Sequence, residues 1–184
     1  GLGVRTDPWN DLLNSDWIPC FTATYADNSD KKINDVQQEC IGNDIMLACR
    51  HTDWDQVVTA SDGRGLVFAD TSGLWDPIQE RATLSALESL WFLDGIHQVG
   101  WGRSSESETV ITLADCQAEL DGQTRSHPLC FALGVDGDGD TVLASSTAQE
   151  PQSGPCTLCT LLWRNGDRPG WPHKYMTTAS ERLE

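Results

Sequence analysis

The chain has 184 residues, 28 of them acidic and 12 basic, for a formal net charge of −16. That length holds one ordinary core, and the charge works against nucleic acid and anionic bilayers, which are bound through Lys and Arg patches. No run of about 18 apolar residues offers a membrane span.

From the N-terminus, residues 1–19 read as an arm. Its start, Gly1-Leu2-Gly3-Val4, without Met and without a charged-then-apolar leader, is expected of a processed or trimmed chain. Asp7-Pro-Trp-Asn-Asp-Leu-Leu-Asn-Ser-Asp-Trp17 is acidic and carries two rings, Trp9 and Trp17. They suit contact with another molecule, or docking back onto the same domain. Neither chain end reads as a self-sufficient helix or core strand, so an ordered end is expected to be held by a neighbouring subunit, by its own domain or by a crystal contact.

Residues 20–184 read as a single disulfide-stabilised domain. Short apolar or alternating runs predict strands at Phe21–Tyr25, Ile45–Cys49, Gln56–Thr59, Leu66–Ala69, Thr109–Leu113 and Cys159–Trp163. Turn formers separate them, as at Asp27-Asn28-Ser29-Asp30, Asp62-Gly63 and Asn165-Gly166-Asp167. Asp76-Pro77 offers an N-cap and first turn, with Ile78, Ala82, Leu84, Leu87 and Trp91 near one helical face, although Thr83–Phe92 also alternates acceptably as a strand. Residues 144–155 are a polar loop. The expected fold is all-β, mainly an antiparallel sandwich with at most one short helix.

Seven cysteines, Cys20, Cys40, Cys49, Cys116, Cys130, Cys156 and Cys159, lack the paired spacing of a zinc module and read as disulfides made in an oxidising compartment. Cys40-Ile-Gly-Asn-Asp-Ile-Met-Leu-Ala-Cys49-Arg50, Leu90-Trp-Phe-Leu-Asp-Gly, Gly100-Trp-Gly, Asp115-Cys116 and Leu129-Cys130 resemble a group of uncharacterised secreted microbial β-rich domains. About half the chain takes part; the region from the acidic turn after Cys130 to Cys159 departs from the pattern as an insertion would. The resemblance implies a secreted β fold and no activity. On this reading Cys40 pairs with Cys49 and Cys116 with Cys130, and closing a loop of about 15 residues is worth roughly 3 kcal/mol. Cys20 would bridge to Cys156 or Cys159, and the odd count leaves one thiol over. Cys156-Thr-Leu-Cys159 has the spacing of half a zinc site but no further ligands at recognisable spacing.

Asp136-Gly137-Asp138-Gly139-Asp140 places carboxylates at alternate positions, the way the first half of a calcium loop does. The second half fails, with Thr141 where that motif has Gly and Thr147 where it has Glu. Asp136, Asp138 and Asp140 are therefore the candidate ligands of a weak Ca²⁺ site, or simply a tight acidic turn. No other cofactor is expected.

Eight tryptophans invite sugar stacking or partner contact, with Trp91 and Trp101 expected in the core. His51, His97, His127 and His173 show no paired spacing, and the serines lack a nucleophile elbow. No catalytic residue is nominated, and the chain is read as a non-enzyme. Two functions follow as expectations. One is a structural subunit of an extracellular assembly, a fibre, pilus-like or cell-surface appendage, joined as a homo-oligomer through the N-terminal arm. The other is a carbohydrate-binding module helped by calcium; a secreted hydrolase ranks behind both. No Asn-x-Ser/Thr acceptor occurs.

Overall fold

A computed structural model describes residues 4–24, 31–85, 89–104, 110–112, 116, 129–143 and 157–166. Thirteen strands run through these residues, and every pairing between them is antiparallel. The largest sheet has five strands: β1 (Arg5–Pro8), β4 (Gln56–Gly63), β3 (Asp44–His51), β13 (Thr157–Arg164) and β2 (Ile18–Thr24), in that spatial order. A second sheet is β10 (Leu129–Phe131), β8 (Gly100–Arg103) and β7 (Trp91–Asp94). A third is β5 (Trp75–Asp76), β6 (Arg81–Thr83) and β9 (Val110–Thr112), and a hairpin joins β11 (Leu133–Val135) to β12 (Thr141–Leu143). The fold is the expected antiparallel β architecture, with three short helices of which only one reaches seven residues.

Period-two alternation explains the layers. Along β3, Ile45, Leu47 and Cys49 point into the main core, where they meet Trp91 and Trp101 of the second sheet, while Met46 and Ala48 point the opposite way. The second sheet alternates likewise: Trp91 faces the main core and Phe92 faces a third cluster with Ile111 and Leu84. Both faces of β3 are covered, which is why its sequence is a continuous apolar run rather than an alternating one.

Gly100 and Gly102 flank Trp101 because the chain passes there at close range. A Cβ on Gly102 would strike the carbonyl of Leu129 and the Cys130 side chain, and one on Gly100 would meet Cys116 Sγ. Trp101 itself is 1 % exposed and donates its ring N–H to the carbonyl of Val67 at 3.0 Å.

Three disulfides cross-link the described residues: Cys20–Cys40, Cys49–Cys159 and Cys116–Cys130. The pairing of Cys40 with Cys49 is thereby replaced. Cys49 sits directly across from Cys159 in the β3–β13 register, while Cys40, at the end of α2 (Ile33–Glu39), meets Cys20 on β2. The bridge from Cys20 to Cys156 or Cys159 is replaced for the same reason. Cys156 and residues 144–155 lie outside the described residues.

Two further expectations are corrected. Leu66–Ala69 is not a strand; Arg64–Val67 forms a helical turn, α3, because Arg64 is drawn to the carbonyls of Gln37 and Cys40 at the end of α2 and Val67 to Trp101. At Asp76 the side chain does accept the N–H groups of Ile78 and Gln79, as an N-cap would, but the chain reverses into β6 after Glu80, whose φ is 52°. Among the described residues no helix is long and apolar enough to cross a membrane.

Candidate functional site

The N-terminal segment is not a free arm. Arg5–Pro8 pairs with Gln56–Thr59 as the edge strand of the five-stranded sheet, and Val4 is buried in the main core. The next residues form α1 (Trp9–Leu13) and then cross the sheet's outer face to reach β2 at the opposite edge. Leu12 and Trp17 are buried there on Met46, Ala48, Val57 and Leu162, and Trp9 packs against them half-buried. Arg50 lies 5.4 Å from the Trp9 ring centre and Arg164 4.3 Å from that of Trp17, both cation–π contacts. Trp9 and Trp17, expected to offer themselves to a partner, therefore dock onto their own domain. Burial of an otherwise naked apolar sheet face is the physical reason.

The acidic turn joins β11 to β12. Asp136 Oδ1 accepts the backbone N–H groups of Asp138 and Asp140, both at 2.9 Å, and the Asp136 N–H reaches the Asp140 carbonyl at 2.9 Å. Asp140 Oδ2 receives Lys32 Nζ at 2.7 Å. That contact, reinforced by the charges of Asp140 and then of Asp136 and Asp138, raises the Lys32 pKa above its ordinary value. The Asp136 carboxylate thus serves the turn and that of Asp140 holds Lys32, while Asp138 acts on Lys32 only through its charge. Among the described residues no group of three or more His, Cys, Asp or Glu side chains is arranged to hold a metal.

Beside this turn runs a groove of about 560 Å³. One wall is α2, whose Ile33 and Val36 enter the core while Asn34 and Asp35 face out. The other is made by the β11–β12 turn and the β7–β8 turn, with Phe68 and Leu93 between them. The spacing of Ile33, Val36 and Cys40, all buried, is the helical signal that locates α2 in the sequence.

The β7–β8 turn holds a pair with no obvious sequence signal beyond a three-residue spacing. Asp94, 2 % exposed, accepts the backbone N–H of His97 at 3.0 Å and faces His97 Nδ1 at 2.9 Å. The His97 ring in turn stacks on Trp75 at 5.1 Å. Asp–His pairs of this form orient the imidazole of catalytic triads, but among the described residues no hydroxyl or thiol is hydrogen-bonded to His97. The same Asp94 carboxylate accepts the His97 backbone N–H within the β7–β8 turn. His51 lies elsewhere, against Trp54, and His127, His173 and Trp171 fall outside the described residues. No family model, curated protein or solved structure matches this chain.

Proposed function

We propose that the protein is a non-catalytic structural subunit of an extracellular assembly, in which the segment from Val4 to Trp17 passes from one copy to the sheet of the next. The observation that carries this reading is the position of that segment relative to the disulfides. It precedes Cys20, so none of the three bridges ties it down, whereas the five-stranded sheet it covers carries two of them, Cys49–Cys159 between β3 and β13 and Cys20–Cys40 from β2 to the end of α2. Its hold includes a four-residue strand pairing, the burial of Val4 in the main core, the docking of Trp9, Leu12 and Trp17, the hydrogen bond from the Thr59 hydroxyl to Asp7 and two cation–π contacts, all of them non-covalent.

Every copy carries the same receptor face, so exchange keeps the same contacts and concentration decides between closed and exchanged forms. Asp7, Asp11 and Asp16 make the segment acidic, and Arg50 and Arg164 supply cations at the receptor in a chain whose net charge is −16. Three disulfides suit an oxidising, extracellular setting. Exchange from chain to chain in one direction builds an open fibre, and reciprocal exchange closes a dimer.

The test is light scattering and negative-stain microscopy on the full chain across a concentration series, with and without an excess of a synthetic peptide of residues 1–17. Oligomers or filaments that dissolve as the peptide caps the receptor face support the reading. A monomer at every concentration, or filaments indifferent to the peptide and to deletion of residues 1–19, overturns it.

A further inference from the structure

The groove along α2 lies on the opposite face of the five-stranded sheet from the N-terminal segment, since Ile33 and Val36 enter the main core while Leu12 and Trp17 enter the outer one. Its use is independent of the exchange reading. Three features give it the character of a preformed site rather than a gap between loops.

Its walls are fixed. The Cys20–Cys40 disulfide and the Arg64 guanidinium, bonded to the Gln37 and Cys40 carbonyls, hold the C-terminal end of α2. At the other end Lys32 bridges to Val142 and the Leu143 N–H reaches the Lys31 carbonyl at 3.0 Å. Gly95 packs so tightly on Thr141 that a Cβ there would collide with its side chain. Such a groove loses little ordering entropy when a ligand enters.

Its polar groups are mixed. Asn34 and Gln37 offer amides that both donate and accept, while Asp35 and Asp70 accept. Among the described residues the side chains of Asn34, Asp35 and Gln37 make no hydrogen bond. A more open depression of about 510 Å³ adjoins the groove, sharing Asn34 and Gln37 and adding a third amide, Gln38, together with Ile41 and Arg64, whose guanidinium is engaged by the Gln37 and Cys40 carbonyls. The cation at the rim, Lys32, is already held by Asp140.

Its apolar lining is Phe68, Leu93 and the 68 % exposed Ile96 on one side, with the buried Ile33 of α2 on the other. An anionic ligand meets carboxylates and a paired lysine in a chain of net charge −16. A wholly apolar ligand would strip water from the amides and carboxylates without return. A simple amine would satisfy Asp35 and the oxygen of Asp70 that the Ser72 N–H does not occupy, but leave the amide N–H groups unused. A ring bearing several hydroxyls, with a C–H face for the apolar lining, satisfies all of them.

We infer that the groove beside α2 binds a neutral saccharide, with Asn34, Asp35, Gln37 and Asp70 as hydrogen-bonding residues and Phe68, Leu93 and Ile96 as its apolar platform. The assignment moves sugar recognition away from the tryptophans and from the Asp136–Asp140 turn, which contributes only a wall.

The experiment is calorimetric titration of the full chain with neutral hexasaccharides (β-1,4- and β-1,3-linked glucose, β-1,4-linked N-acetylglucosamine and α-1,6-linked mannose), beside hexagalacturonate and spermine as anionic and cationic probes. At least one neutral hexasaccharide should bind, and the double change Asn34→Ala with Gln37→Ala should weaken it about tenfold or more, as expected from the loss of two hydrogen bonds. Ile96→Asp should weaken it too, while Trp9→Ala on the opposite face should leave the affinity unchanged. Asn34 and Ile96 are exposed, and unaltered circular dichroism confirms that their variants fold. No binding across the neutral panel, preferential binding of spermine or hexagalacturonate, or neutral binding that survives the double change overturns the assignment.

Discussion

Cys49 lies directly opposite Cys159 in the β3–β13 register, with Cα atoms 4.1 Å apart, so a single bridge ties residues 110 positions apart across the centre of the largest sheet. The chain-entropy argument makes a bridge across so long a loop worth about 4–5 kcal/mol, against roughly 3 kcal/mol for the 14-residue separation of Cys116 and Cys130. Replacing Cys49 and Cys159 together by Ala should therefore destabilise the protein by more than the same change at Cys116 and Cys130. Urea unfolding of the two double variants checks the order; equal losses would show that unfolded-state closure does not govern these bridges.

Asp94 is a buried carboxylate whose partner His97 supplies both a backbone and a ring contact. Changing His97 to Ala leaves the carboxylate with the backbone N–H alone and should cost about 1–3 kcal/mol, the usual penalty for a buried polar group losing its partner. The lost stacking on Trp75 adds to it. Asp94→Asn, which keeps an acceptor and removes the charge, should cost less. Thermal melts of the two variants measure the difference, and a neutral His97→Ala would mean that water replaces the ring.

The strands that pack on both faces were the most legible part of the sequence. Ile45–Cys49, Gln56–Thr59 and Cys159–Trp163 lie in β3, β4 and β13, because β-branched and apolar runs between Gly, Asn and Asp turns have few other ways to bury themselves. Leu66–Ala69 misled because local β propensity was outweighed by two tertiary demands, Arg64 on the α2 carbonyls and Val67 under the Trp101 N–H. Cys116–Cys130 is the expected pair, but the other two disulfides misled for a related reason. Spacing along the chain favours nearby partners, whereas Cys49 and Cys159 are joined by a register that only the assembled sheet defines. The candidate groove was invisible in sequence, since its residues come from α2, Phe68–Asp70 and two separate turns.

Gly102 makes the close approach of β8 and β10 possible. Gly102→Ala should push against the Leu129 carbonyl and Cys130 and destabilise the fold by about 1–3 kcal/mol, the range for overpacking. Gly73→Ala, where a Cβ meets nothing within 4 Å, is the matched control and should be close to neutral. Comparable losses at both positions, read by urea denaturation, would remove steric crowding as the explanation.

Lys32 links α2 to the acidic turn, and its position sets both a pH dependence and a metal response. Its pKa is raised in the folded protein by Asp140 first and by Asp136 and Asp138 after it, so the stabilisation is fully present below the ordinary value of 10.5 and is lost as pH rises through the raised one. The melting-temperature difference between wild type and Lys32→Met should accordingly hold steady through neutral pH and shrink on the alkaline side of 10.5. A calcium ion at Asp136, Asp138 and Asp140 must displace the Lys32 ammonium from Asp140 and compete with two amides for Asp136. Removing the ammonium lowers that barrier, so calorimetry should show tighter calcium binding to Lys32→Met than to the wild type. Tighter binding by the wild type would mean that the ion approaches the turn from a side that Lys32 does not occupy.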